Sequence, residues 1–459
     1  MVKYTPINQE GYKLLHEGIL ALGRAEWEGL HIDTDYCIKE QERLTKVLFQ
    51  VERNLLTNKE VRLWQKVYGN KFNLNNDYQL RHILYNRLHL RPTKESLKGT
   101  PSVDKSALEN LNLPWTEKLV KYRTLKNARD TFLEGIIRET VDGVLHPFFN
   151  LNTVITFRSS SNNPNFHNIP TRLPNIRKIV RRAFIPRPGR QLLEVDYDSI
   201  EVHISSCYHK DPNMLLYLKD KKKDLHQDLA MECYLLERKQ VTDDTRYSAK
   251  NGFVFPELYG DWYQDCAKSL WKNISTLSLV RKDNGINLKK HLKNKGIKNF
   301  DKFLSHIHTV EQNFWEEKFP VYNQWKKEWI QQYEQQGFMD TLTGFRCSGA
   351  LKRNEVVNYP IQGSAFHCLL WSLIRLDKEM RKRKMKSIIV GQIHDSIIFD
   401  CVPEEIEELL ILVHWVMCKE LRKAWKWIIV PLDIKAELAP IDGSWYEKKK
   451  VEINRRGMV

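Results

Sequence analysis

Apolar positions recur at helical spacing through the first 150 residues, with turn signals at 75–77, 91–93 and 99–102, and predict a mostly helical N-terminal region. Asp33 and Asp35 have no companion acids near them in sequence and read as a turn before a helix, not as a metal site. The pattern changes at 191–197. There Leu193, Val195 and Tyr197 alternate with Leu192, Glu194 and Asp196, which predicts a strand, and Ser199 is placed to cap a helix beginning at Ile200. SIIVGQI and SIIFDCV read as a second strand pair, a hairpin with His394 and Asp395 at its tip. Asp196 and Asp395 would then both sit at strand ends, where they can converge. The intervening residues 210–340 read as helical and basic. In 281–302 eight Lys or Arg stand against two Asp, a pattern of a solvated face or of template contact.

A chain of 459 residues has room for two to four domains. Its 73 Lys and Arg against 57 Asp and Glu give a net charge of +16, which points to a polyanion, nucleic acid first, as partner. With 42% hydrophobic residues, 13 Trp, 18 Tyr and 18 Phe, it is expected to fold around large cores, and disorder is excluded. The longest apolar run, 409–418, is interrupted by His414 and falls short of the ~20 residues a bilayer crossing needs. The N-terminus lacks the charged-then-apolar pattern of a secretory signal, so a cytoplasmic protein without a membrane partner is expected. Eight cysteines without a CxxC pair argue against zinc ribbons and a disulfide framework, leaving buried or idle thiols. With no phosphate-cradling GxxxxGK[ST] loop and no GxGxxG, a nucleotide must be held in another way.

The stretch 158–190 carries eight Arg or Lys (Arg158, Arg172, Arg177, Lys178, Arg181, Arg182, Arg187, Arg190) and no acid. Such a segment repels itself unless a polyanion lies against it, and its Ser and Asn residues, Asn168 among them, suit phosphate and sugar contacts. Phe166, Ile169 and Pro170 would anchor it to a core. Phosphoryl transfer needs in-line geometry and neutralisation of spreading charge, and two divalent ions ~4 Å apart on aspartates supply both. Asp196 and Asp395 are the candidate pair, satisfied only with Mg²⁺ present. In VTDDTRYSAKNGFVFPELYG, Thr242, Asp243 and Asp244 supply a helix cap and first-turn acids, and Arg246 and Lys250 then project from one helix face as a clamp for a triphosphate. The bland alternative is an ordinary basic surface helix. His226 is a third candidate donor, although a lone His is more often structural.

Several separated motifs, in order, resemble those of family A DNA polymerases from about residue 18 onward. TFRSSSNNPNFHNIP is similar to TGRLSSxxPNLQNIP, LLEVDYDSIEVHI to LxxADYSQIELR, RYSAKNGFVFPELYG to RxxxKxxxFxxxYG, NYPIQGSAFHCLL to NxPIQGTAADxxK, and VGQIHDSIIFD to the hairpin carrying VHDE. The resemblance implies an α+β right-hand polymerase, with an antiparallel palm sheet and helical fingers and thumb. It divides the chain into a thumb with N-terminal helices (1–150), palm (151–209 and 345–459) and fingers (210–344). It implies Asp196 and Asp395 as catalytic metal-binding carboxylates, with the Tyr197 carbonyl as a further ligand, for two Mg²⁺ ions that Mn²⁺ can replace. Glu201 falls on the steric gate against a 2′-hydroxyl. His226, Arg246 and Lys250 fall on the groups that hold the incoming dNTP, one of Phe253 and Phe255 on the aromatic beside its sugar, and Tyr259 beside the template base. Arg158, Asn168, Asn358, Gln362 and His394 fall on primer-template DNA contacts, most of them in the minor groove, where geometry is read without a sequence code.

Three departures stand out. The hairpin's third acid is Ser396, and the arginine ending the first catalytic motif is His203. Tyr259 follows Lys250 by nine residues where the family has eight, which on an unbroken helix turns it by about 100°; a bulge or kink near Pro256 would restore the direction. Only some 18 residues precede the match, so no proofreading exonuclease is expected within this polypeptide, and a separate exonuclease or processivity factor is a candidate partner. A phage or mobile-element source, and hence the host cytoplasm, is an expectation from the resemblance. The competing readings are a single-subunit RNA polymerase, opposed by Glu201, and a non-catalytic DNA-binding relative, opposed by the intact Asp196, Arg246, Lys250 and Asp395.

Overall fold

The computed structural model describes residues 3–95, 99–171, 173–220 and 222–453, so Arg172 lies outside the described residues. At the centre is a five-stranded antiparallel sheet in the order Ile388–Ile393, Ser396–Cys401, Gln191–Tyr197, Ile434–Leu438, Lys449–Val451. The alternation read in the sequence holds on the middle strand. Leu193, Val195 and Tyr197 are buried on one face, and Glu194 and Asp196 share the other. Beneath the buried face runs the helix Arg353–Lys382, and the Tyr197 hydroxyl bonds to Ser372 Oγ (2.9 Å) and donates to the Met417 carbonyl (3.0 Å).

Two helical units flank this sheet, each with its own apolar core. One gathers Leu48, Leu55, Trp64, Leu80, Trp115 and Leu119, and the other Leu225, Tyr234, Phe253, Leu270, Phe303 and Phe314. The first thirty residues join neither, although the sequence reading grouped them with the N-terminal helices. Helix Gln9–Glu28 buries Leu14, Ala21, Leu22 and Ala25 in the core of the central sheet, Arg24 pairs with Asp377 at 2.5 Å, and strand Lys3–Pro6 pairs with Phe345–Ser348. Amphipathic spacing reports that a face is buried and not which partner covers it.

Local chemistry agrees with the reading at several points and corrects it at two. Asp33 caps helix Thr34–Leu56 through the Tyr36 N–H (2.9 Å), Thr242 caps Asp243–Ala249, and all eight cysteines are buried thiols outside any disulfide. Ser199 does hold the N-cap position of Ile200–His209. It does so in the left-handed conformation (φ 55°), and its hydroxyl goes to Asp198 at 3.1 Å, so its side chain caps nothing. The acid-free stretch 158–190 is not left to repel itself. Arg181 is buried against Trp445 (3.9 Å to the ring centre) and lies 3.7 Å from Glu194, and Arg187 pairs with Asp400 and Glu28 at 3.0 Å each. Acids remote in sequence neutralise these cations inside the fold, which a window of sequence does not reveal. Phe166 and Ile169 are buried, as the anchoring reading requires. Among the described residues no helix is long and apolar enough to cross a membrane.

Candidate active site

Strand register builds the site. Ser396 lies directly opposite Asp196, and the two residues before it, His394 and Asp395, form the hairpin turn, with His394 at φ 51° supplying the positive dihedral a two-residue turn requires. The Tyr197 N–H reaches the Asp395 carbonyl at 3.4 Å. Asp196 and Asp395, 199 positions apart in sequence, therefore line one open cleft of about 230 Å³ together with Glu201, Lys250, Phe255 and Tyr259.

The electrostatics of this pair fit a divalent cation. Burial first, then repulsion from Asp395 and Glu194, pushes the Asp196 carboxyl up to about 7. Burial also raises Asp395, against the pull of the Arg158 guanidinium 3.4 Å away. Two oxygen donors that resist ionising together suit a hard cation that neutralises both. The Tyr197 ring is held beneath the sheet, so only its backbone carbonyl is available as a ligand.

A third carboxylate comes from the predicted strand itself, at a residue the sequence reading gave no role. Glu194, two residues before Asp196 on the same strand face, accepts from Ser396 Oγ (3.2 Å) and Trp445 Nε1 (2.7 Å) and is ion-paired with Lys448. Its burial opposes ionisation, but Lys448 and Arg181 hold its carboxyl below the usual range. Asp198 and Lys435 were missed as well. Lys435 is the cross-strand neighbour of Asp196, lines the cleft, and pairs with Asp198 at 2.6 Å. Strand Ile434–Leu438 was not read from the sequence, and its place beside Asp196 is a tertiary fact.

On the opposite wall Arg158 Nη2 bridges Glu201 Oε1 (2.5 Å) and Asp395 Oδ1 (3.4 Å). The Tyr259 hydroxyl donates to the other oxygen of Glu201, and Asn358 Nδ2 donates to the Tyr259 carbonyl at 2.6 Å. Burial raises Glu201 despite Arg158 and Tyr259. The helix bearing Lys250 and Tyr259 is not regular. Residues Lys250–Val254 form a π-helical turn in which the Phe255 N–H bonds back to the Lys250 carbonyl, and Pro256 follows in the first turn of Phe255–Leu258. One extra residue is absorbed there, so nine positions cover the arc of eight and Tyr259 faces the cleft. Pro256, which has no N–H to donate, stands at the seam.

This turn also separates the two candidate phenylalanines. Phe255 lines the cleft, with Lys250 Nζ 4.9 Å from its ring centre and the His226 ring edge-on at 5.6 Å. Phe253 does not reach the cleft. It is fully buried against Phe314, because two residues along a helix is about 200° and lands on the opposite face. Arg246 pairs with Asp224 at 2.6 Å. His226 has a buried Nδ1 without a hydrogen-bond partner, and burial, then Lys250 and Arg246, brings its pKa down to about 4. Burial and the facing Lys435 lower Lys250. Of the five expected DNA contacts, Arg158 and Asn358 touch the cleft through their bonds to Glu201, Asp395 and Tyr259, whereas Asn168, Gln362 and His394 stand apart from it. Asn168 is exposed on the turn Phe166–Asn168, Gln362 is half-buried one turn after Asn358, and His394 is exposed at the hairpin tip, 6.0 Å from the His167 ring.

Comparison with known proteins adds an independent line. The profile of DNA polymerase family A matches residues 42–447. The chain is 30% identical to DNA polymerase I of Lactococcus lactis subsp. lactis (strain IL1403) over 398 residues, which is 83% of this chain and 40% of the relative. It is 28% identical to DNA polymerase I of Geobacillus stearothermophilus over 449 residues, 94% of this chain and 45% of that one. The DNA polymerase of Bacillus phage SP01 is 24% identical over 417 residues, 85% of this chain and 42% of the relative. The chain thus spans less than half the length of these relatives. Its fold is similar to the POL domain of Pol1 from M. smegmatis, solved in complex with DNA primer-template and dNTP. The TM-score is 0.74 at 22% identity, over 94% of this chain and 70% of that one. The shared fold is the α+β right hand, an antiparallel sheet between helical units.

Proposed function

The chain belongs to DNA polymerase family A, and on that premise we propose that it is a template-directed DNA polymerase that adds dNTPs to a primer 3′-hydroxyl. The observation that carries this reading is the strand register that brings Asp196 and Asp395 into one cleft facing Lys250. In this reading the palm is the central sheet with residues 3–32 and 345–453, the thumb is the helical unit around Trp64 and Trp115, and the fingers are the unit around Tyr234 and Phe314.

Asp196, Asp395 and the Tyr197 carbonyl would hold two Mg²⁺ ions, with Mn²⁺ as a substitute, and the bound ions would activate the primer hydroxyl and stabilise the leaving pyrophosphate. The protein's own part is positioning. Lys250 and Phe255, which line the cleft, present positive charge to the triphosphate and back the sugar, and Arg246, paired with Asp224, and His226, packed on Phe255, complete the grip on the triphosphate. Glu201, fixed by Arg158 and Tyr259, fills the space beside the sugar and disfavours a 2′-hydroxyl. Tyr259 leaves Glu201 when a template base takes its place, and the helix that carries it then closes on a matched pair. Arg158, Asn168, Asn358, Gln362 and His394 contact the primer-template duplex.

The reading assigns the chain no proofreading activity. A separate exonuclease or processivity factor is the corresponding partner. Extension of a primed DNA template with Mg²⁺ tests the proposal. Wild type extends, Asp196→Ala and Asp395→Ala bind the same DNA without extending it, and extension by either variant refutes the assignment. Shortening of a labelled primer by wild type with Mg²⁺ and no dNTPs, absent from an identically prepared Asp196→Ala protein, would refute the absence of proofreading.

A further inference from the structure

We propose that His414, Cys418 and Asp433 form a second metal site, for a divalent cation of the zinc class, on the far side of the sheet from the cleft cations. His414 and Cys418 stand four residues apart on the helical run that begins at Ile406, which places them on one face. Asp433 immediately precedes strand Ile434–Leu438 and comes to them from another element. One ligand atom from each residue lies within 4.8 Å of the other two. Tetrahedral zinc with bonds of about 2.0–2.3 Å spaces its ligands roughly 3.3–3.7 Å apart, which small side-chain rotations reach from this arrangement.

The donor set selects the ion. Imidazole nitrogen and thiolate sulfur suit zinc and cobalt, whereas magnesium prefers oxygen alone, so this site does not compete for the ions of the cleft. On binding, the Cys418 thiol gives its proton to solvent and a sulfur–metal bond forms. Thiolate and carboxylate then cancel both charges of the cation, and the buried assembly is neutral. Burial is graded toward solvent. His414 and Cys418 are 6% and 2% exposed and Asp433 is half-buried, which gives the ion an entry side and an open fourth position for water. Asp433 is already oriented, since its Oδ1 accepts from the Ile434 N–H at 3.0 Å. Its carbonyl accepts from the Asp198 N–H at 2.9 Å, and Ile434 pairs with Tyr197. A cation here would fasten the helix after Ile406 to the strand beside Asp196. The inference does not depend on the polymerase reading.

The test uses the untagged full chain, stripped with chelator and returned to buffer with Mg²⁺ to fill the cleft, then titrated with Co²⁺. A thiolate-to-cobalt charge-transfer absorption should appear and saturate at one equivalent, and Zn²⁺ should abolish it while raising the thermal midpoint. Asp196→Asn should keep the band and Cys418→Ser should lose it. If Cys418→Ser does not fold, Asp433→Asn at the site's rim should weaken cobalt binding by about tenfold. Absence of the band in wild type, its persistence in Cys418→Ser, or unchanged affinity in Asp433→Asn would show a hydrogen-bonded cluster without a metal and overturn the proposal.

Discussion

Ser396 stands directly across the sheet from Asp196 and turns its hydroxyl onto Glu194, 3.2 Å away. The residue following Asp395 thus carries no charge of its own and binds one from the neighbouring strand, so a third anion lies behind the cleft by a different covalent route. Lys448 and Arg181 balance it.

Glu194→Gln should therefore destabilise the palm, because it strands two cations that are 14% and 6% exposed. Lys448 keeps Glu437 at 2.6 Å, so we expect a loss of about 3 kcal/mol, at the lower end for a broken buried pair. Chemical denaturation of wild type and variant measures it, and equal stability would refute the network.

Asp196 dictates a pH dependence for the metal-free chain. Its folded-state carboxyl titrates at about 7 against an ordinary 3.8, so the folded form keeps a proton that the unfolded form has already released. Stability from this group falls as pH rises between those values. Asp196→Asn should match wild type near pH 4 and exceed it by about 2 kcal/mol at pH 8 in chelator, and saturating Mg²⁺ should return the advantage to wild type. Urea unfolding at both pH values decides, and a pH-independent difference contradicts the coupling.

Removing the Glu201 side chain, the proposed gate, should alter sugar selection more than rate. Glu201→Ala is expected to lower the preference for deoxynucleotides over ribonucleotides by roughly 10²-fold in kcat/KM. Single-nucleotide incorporation with both sugars measures it. An unchanged ratio would assign Glu201 to holding Tyr259 and Arg158 alone.

The widened turn after Lys250 yields a deletion test. Asn251 is exposed within it, and removing this residue should convert the turn to regular α-helix while leaving Lys250 and Tyr259 on the same bearing. The deletion variant should keep at least about a third of wild-type extension. Placing the deletion in the regular turn at Tyr247 instead should abolish it. Inactivity of the Asn251 deletion would mean the turn is needed for more than register.

Lys250→Ala should raise the dNTP KM by about 10–100-fold, the range of a lost charged hydrogen bond, and leave DNA affinity unchanged. Steady-state kinetics and a DNA-binding titration separate the two effects.

Much of this was legible in the chain because the key residues sit on short-range patterns. Alternation through Leu193 to Tyr197 marked the strand, the polar pair at 394–395 marked the hairpin, and the nine-residue step to Tyr259 announced a disturbance where the π turn lies. What escaped depends on who stands next to whom. Lys435 belongs to the site only through its pairing with Asp196, Arg181 and Arg187 are neutralised by acids outside their own segment, and helix Gln9–Glu28 chose the sheet over the helices that follow it. The Phe253 and Phe255 alternative closed only when the turn fixed the direction of each ring.

The core formed by Leu48, Trp64 and Trp115 is closed on itself, and helices Thr34–Leu56 and Pro114–Asn127 lead away from it toward the sheet. A unit that seals its own apolar interior can pivot on such stalks while exposing little greasy surface, so swinging it costs far less than melting it. In the proposed reading, this is what lets the unit close over a duplex and reopen while its own core stays sealed.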